Sequence, residues 1–179
     1  MALTTHLLTL ATALWFEVDH TDGTGVSAFF TADAELRFGT RSFHGSREID
    51  HVYASRTARG PRVSRHLVTN LHVTSADTTH ATAVSNLLLF AEDGEPPRST
   101  VTPAVVSDVV DDFVLRDGSW LIRSRHITTL FAPPTSSWPS PPTDPPRERP
   151  PQAPLRPYIA PNRTARPSQA GHLTAKDPT

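Results

Sequence analysis

The segment from Pro61 to Val73, PRVSRHLVTNLHV, sets two histidines and an asparagine into a run that is otherwise mostly aliphatic or hydroxylated. An imidazole titrates near neutral pH and can take or return a proton. A carboxamide beside it can hold a substrate oxygen. Read as a strand with its period of two, the segment puts His66, Val68, Asn70 and His72 on one face and Leu67, Thr69, Leu71 and Val73 on the other. A wet strand face usually carries Lys, Glu or Thr, so this pattern points to the wall of a cavity.

The remaining chemistry-bearing residues narrow the options. His72 and His80 fall near strand ends and read as solvated. His44, His66 and His72 lack the spacing of a metal site, and no metal is expected. The chain has no cysteine, which excludes disulfides, thiolate ligands and cysteine nucleophiles. It also lacks a glycine-rich phosphate loop and a G-x-S-x-G elbow, so nucleotide-dependent and serine-hydrolase chemistry have no support. Arg56, Arg59, Arg62 and Arg65 look like a phosphate grip, but salt bridges to an acidic core are the ordinary fate of such arginines.

These groups need elements to position them. Leu3, Leu7, Leu10, Ala11, Leu14 and Val18 recur every three or four residues, with Trp15 beside the stripe, which predicts a helix over 3–20. A short second helix is expected at about 25–30, then a strand at 34–38 that turns at Gly39-Thr40 into 41–44. Gly45-Ser46-Arg47-Glu48 reads as the start of a third helix, which carries Ile49, Val52 and Tyr53 and stops before Gly60-Pro61. Four long strands follow, at 64–75, 79–91, 101–115 and 120–130, the last two joined by the turn Arg116-Asp117-Gly118-Ser119. The sum is an α+β fold with three N-terminal helices on a strongly curved, mostly antiparallel sheet that leaves a pocket at its open end.

Of the 18 prolines, 14 lie after Phe131. The folded domain is therefore expected to span 1–131, and 132–179 to be a disordered Pro/Arg-rich tail. That tail holds six basic residues against three acids, about +3, which leaves the core at about −4 of the total −1. A core with this balance is not a general nucleic-acid binder. The uncharged run 7–16 lacks a basic leader and a cleavage site, so it reads as a helix of a cytoplasmic protein with no membrane span.

This element order resembles the SnoaL-like branch of the nuclear transport factor 2-like superfamily, a cone-shaped α+β barrel. The likeness rests on Phe29-Phe30-Thr31-Ala32-Asp33-Ala34 leading into the first strand, Gly45 with Ile49 in the third helix, and Arg65-His66-Leu67-Val68-Thr69-Asn70. It rests also on Asp111-Asp112-Phe113 with Asp117-Gly118-Ser119-Trp120 and Arg125 in the closing hairpin. It covers about 3–131. By resemblance to scytalone dehydratase-like members, Asp19 and His66 are the catalytic pair, a carboxylate that fixes the tautomer and raises the basicity of an imidazole. Tyr53 and Asn70 would orient a substrate oxygen, and Trp15 and Val68 would wall the pocket. The second histidine of those relatives is missing, since 83–91 holds Val84, Ser85 and Asn86 instead, and their tyrosine before the aspartate is Val18 here.

The resemblance implies a cofactor-independent acid/base enzyme, a cyclase, isomerase or dehydratase of a polyketide-like or other polycyclic metabolite, acting without cofactors. The alternative is a non-catalytic subunit or ligand-binding module resembling a ring-hydroxylating dioxygenase small subunit. The partners expected are a small-molecule substrate and a second copy in a homodimer.

Overall fold

A computed structural model describes residues 2–21, 23–99 and 102–133. Of the expected 132–179 tail, 134–179 lies outside the described residues. The elements run α1 (Ala2–His20), a 3₁₀ turn (Val26–Phe29), β1 (Phe30–Phe38), β2 (Arg41–His44), α2 (Gly45–Thr57), β3 (Arg62–Ala76), β4 (His80–Asp93), β5 (Val105–Arg116) and β6 (Ser119–Phe131).

The fold is α+β, with two α-helices among the described residues where three were expected. The second helix shrinks to one 3₁₀ turn because it starts after Gly25 and meets Phe29-Phe30-Thr31, bulky and β-branched residues that favour extended backbone. Phe30 is already extended at φ −111° and ψ 157°. β1 accordingly begins four residues before the expected 34, and Thr31-Ala32-Asp33 form its irregular part rather than a turn. There the pairing with β6 changes register, between Phe30 and Glu35.

The six strands form one curved, unclosed sheet in the order β2-β1-β6-β5-β4-β3. Every pairing is antiparallel except β1 with β6, which is parallel. Alternation along β4 sends Ala81, Ala83, Ser85, Leu87 and Leu89 to the buried face. Leu7, Leu14, Trp15 and Val18 of α1 and Ile49 and Tyr53 of α2 complete the core against that face. No helix among the described residues is long and apolar enough to cross a membrane.

Two details fix the helices where the site needs them. The Glu17 carbonyl accepts from the Thr21 and Gly23 N–H groups at 3.0 and 3.3 Å, and the Glu17 carboxylate accepts from Gly25 N–H at 2.8 Å. These bonds close the exit of α1. Gly23 sits at φ 73°, and a β-carbon on it would meet the Tyr53 Cβ at 3.0 Å, so the glycine lets this loop lie against α2. At the start of α2, Glu48 accepts the His44 N–H at 2.7 Å, a carboxylate at the positive end of the helix.

β3 departs from simple alternation. Ser64, His66 and Val68 turn inward, but the pairing with β4 shifts between Thr69 and His72, where Asn70 takes φ 54°. An extra residue in a strand swaps its faces from that point on. Beyond the bulge Leu71 and Val73 pack toward the core, while Asn70 and His72 are exposed. The expectation that His66 and Asn70 share a face is corrected by that one inserted residue.

Candidate active site

Asp19 stands in the last turn of α1, where the packing of that helix on β3 carries it to Ser64 and His66. One carboxylate oxygen, Oδ1, meets His66 Nδ1 at 2.7 Å and accepts from Ser64 Oγ at 2.7 Å. The other, Oδ2, accepts the His66 backbone N–H at 2.7 Å. Ser64 is held in turn by Arg56, whose Nη2 donates to Ser64 Oγ at 2.6 Å. The side chains of His66 and Asp19 are 6% and 5% exposed, so the pair is shielded from bulk water.

Burial by itself would raise the Asp19 pKa. The hydrogen bond and charge of His66, with the bonds from Ser64 and the His66 N–H, outweigh it and hold the carboxyl at about 2. Burial is also the largest influence on His66 and lowers its pKa below 6.5, against the upward pull of Asp19. At neutral pH the site therefore pairs a carboxylate with a neutral imidazole. The carboxylate accepts from Nδ1–H, so the lone pair resides on Nε2, and His66 lines the main cavity.

The ring orientation has a second support. Trp15 stacks on His66 with centroids 4.2 Å apart and planes 9° from parallel. The Arg125 guanidinium lies over the Trp15 ring at 5.3 Å, and its Nε and Nη2 donate to the two oxygens of Asp111 at 2.7 and 2.8 Å. Asp111 and Arg125 are cross-strand partners on β5 and β6, both almost fully buried.

The cavity has a volume of about 630 Å³. Phe38, Phe43, Leu87, Leu89, Val105 and Ile127 supply apolar wall, and Trp15, Tyr53 and His66 face the same space. Burial pushes the Tyr53 hydroxyl up to about 12, so it stays a phenol. The space suits a flat, largely apolar ring system beside one base and one phenolic hydroxyl.

Four of the six residues singled out in the sequence thus come together, Asp19 and His66 as a hydrogen-bonded pair and Trp15 and Tyr53 on the same cavity. Asn70 does not join them. Its Nδ2 donates to Asn86 Oδ1 at 2.9 Å, and Asn86 donates to Asp108 Oδ1 at 2.8 Å, a ladder on the face opposite the core. Val68 packs half-buried against the core but is not among the residues lining the cavity. Ser64 was missed, although it lies two residues before His66 and so on its face. The Asp111–Arg125 pair was missed as well.

The SnoaL-like domain matches residues 4–126 of the chain. No curated protein matches it. ActVI-ORFA from Streptomyces coelicolor superposes with a TM-score of 0.62 at 25% identity, over 72% of this chain and 98% of that one. A scytalone dehydratase-like protein of Novosphingobium aromaticivorans gives 0.62 at 16% identity, over 73% and 89%. A cystatin-like protein of unknown function from Nostoc punctiforme gives 0.61 at 22%, over 72% and 92%. With the domain match spanning most of the chain and the same cone in these neighbours, the protein belongs to the SnoaL-like domain family.

Proposed function

We propose that the protein is an acid/base enzyme of the lyase or isomerase class that moves a proton on a ring-containing, polyketide-like metabolite with its own side chains. The observation that carries this reading is the 2.7 Å contact between Asp19 Oδ1 and His66 Nδ1 beside a 630 Å³ apolar cavity that His66 lines. Nε2 of His66 takes a proton from the carbon next to a substrate carbonyl, and Asp19 stabilises the imidazolium. Tyr53 donates to the carbonyl oxygen as it gains charge. His66 then returns the proton, either to another carbon, which isomerises the substrate, or to a hydroxyl leaving as water. Cyclisation follows the same course when the carbanion attacks a second carbonyl and the new alkoxide takes the proton. The name of the scytalone dehydratase-like neighbour supports this class.

Exchange of the acidic C–H of 2-tetralone in deuterated water tests the reading without knowledge of the natural substrate. Wild type is expected to accelerate exchange, and His66→Ala to lose that acceleration by about 10²–10⁴-fold while keeping its circular dichroism spectrum. Unchanged exchange in a folded His66→Ala protein would overturn it.

A further inference from the structure

Four guanidinium groups border the cavity: Arg41 of β2, Arg56 in the last turn of α2, Arg59 just after it, and Arg62 at the start of β3. Asp93 is the single carboxylate among the lining residues. Salt bridges were the expected fate of Arg56, Arg59, Arg62 and Arg65, yet among the described residues only Arg62 of these pairs with a carboxylate, that of Asp93. Arg56 spends Nη2 on Ser64, Arg41 lies over the Phe43 ring at 5.7 Å, and exposed Arg59 has no carboxylate partner among the described residues. The Arg62–Asp93 pair is itself on the rim, with the Asp93 side chain 83% exposed, and such exposed pairs contribute little.

The cavity therefore has two unlike ends. Its inner part is aromatic and aliphatic around His66, and its mouth carries several positive charges against one negative. We propose that the ligand of this cavity carries an anionic oxygen group, a carboxylate or a phosphate, bound by Arg59 and Arg62 at the rim while its ring body reaches inward to His66. The inference rests on reading the cavity as the substrate site. Guanidinium groups bind planar or tetrahedral oxyanions by paired hydrogen bonds, and a partly enclosed mouth strengthens them. Arg56 feels the crowding: burial lowers its pKa first, and the charges of Arg62 and Arg59 lower it further. A bound anion relieves that repulsion.

The full chain should be titrated with 2-naphthoate, 2-naphthyl phosphate and the neutral 2-naphthamide, followed by calorimetry. At least one anion is expected to bind about tenfold or more tightly than the amide, with the gap narrowing as salt is raised. Whichever anion is tighter identifies the group as carboxylate or phosphate. Arg59→Gln with Arg62→Gln should bring the anions to within about twofold of the amide while leaving amide affinity unchanged. Equal binding of all three probes by wild type, no saturable binding of either anion, or a preference that survives in the double variant would each overturn the proposal. His66→Ala is expected to keep the anion preference. Unchanged tetralone exchange in His66→Ala with a retained anion preference would overturn the proton-transfer reading alone, and lost exchange with no anion preference would overturn this one alone.

Discussion

Two buried carboxylates each hold a nitrogen partner that packs on Trp15, His66 for Asp19 and Arg125 for Asp111, and the two pairs face different surroundings. Asp111 and Arg125 form a two-pronged pair, 3% and 1% exposed in their side chains, whose members do not line the cavity. Burial lowers the Arg125 pKa, but the charge and hydrogen bonds of Asp111 more than offset this and leave it raised, so the arginine is charged at every ordinary pH. Asp19 and His66 are similarly buried, but the partner is an imidazole with one nitrogen committed to the carboxylate, and its ring lines the cavity. Burial and a short contact are common to both. On the proposed reading, what separates a proton-transfer site from a structural tie is a titratable partner that lines open space.

The largest expected break in this comparison is Asp111→Ala. It leaves a buried guanidinium uncompensated, and the loss should be about 3–5 kcal/mol of folding stability by chemical denaturation. A loss below about 1 kcal/mol would mean that the pair does not tie β5 to β6. Asp19→Asn should do the opposite, costing about 100-fold in tetralone exchange, since an amide neither stabilises the imidazolium nor fixes its tautomer. Its stability cost is smaller, about 1–3 kcal/mol for one charge-assisted hydrogen bond. Equal loss of activity and stability across the two variants would erase the distinction.

The smallest effect is a pH profile. His66 has a folded pKa below 6.5, so base activity should persist through pH 6.5 and fall only on the acid side of that value. Asp19→Asn removes an upward influence, so the limb should move to still lower pH; a limb that stays put would uncouple the carboxylate from the base. The stability signs agree. Below about pH 6.5 the unfolded chain takes up the histidine proton that the native state resists, and folding weakens. The part due to Asp19 is complete above 3.8 and fades as the pH drops toward about 2. Asp111→Ala should leave the limb in place.

Much of the frame was legible because it depends on period and turn chemistry. The stripe Leu7, Leu14 and Val18, the Glu48 start of α2 and the Asp117-Gly118 turn each report a local preference, and the elements stand within a few residues of their expected places. Asp19 and His66 were legible only through family resemblance, because their residues lie 47 apart in sequence and no spacing rule joins them. Two of the failures share one cause. Counting back from the Arg116↔Ser119 pair would set Asp111 opposite Ser124, and the bulge after Asp112 moves it to Arg125. The bulge at Asn70 likewise turned a candidate substrate group to the outer face. A period of two cannot announce where it skips.

The Asp19–His66 N–H bond carries one more consequence. β3, 15 residues long, is an outermost strand of the sheet, and its unpaired amides are a template onto which another chain can add. Asp19 occupies one of those amides from the flank of α1. On the proposed reading, the carboxylate that orients the base with Oδ1 thereby also covers one amide of that edge with Oδ2, so protection of the edge and proton chemistry draw on one side chain.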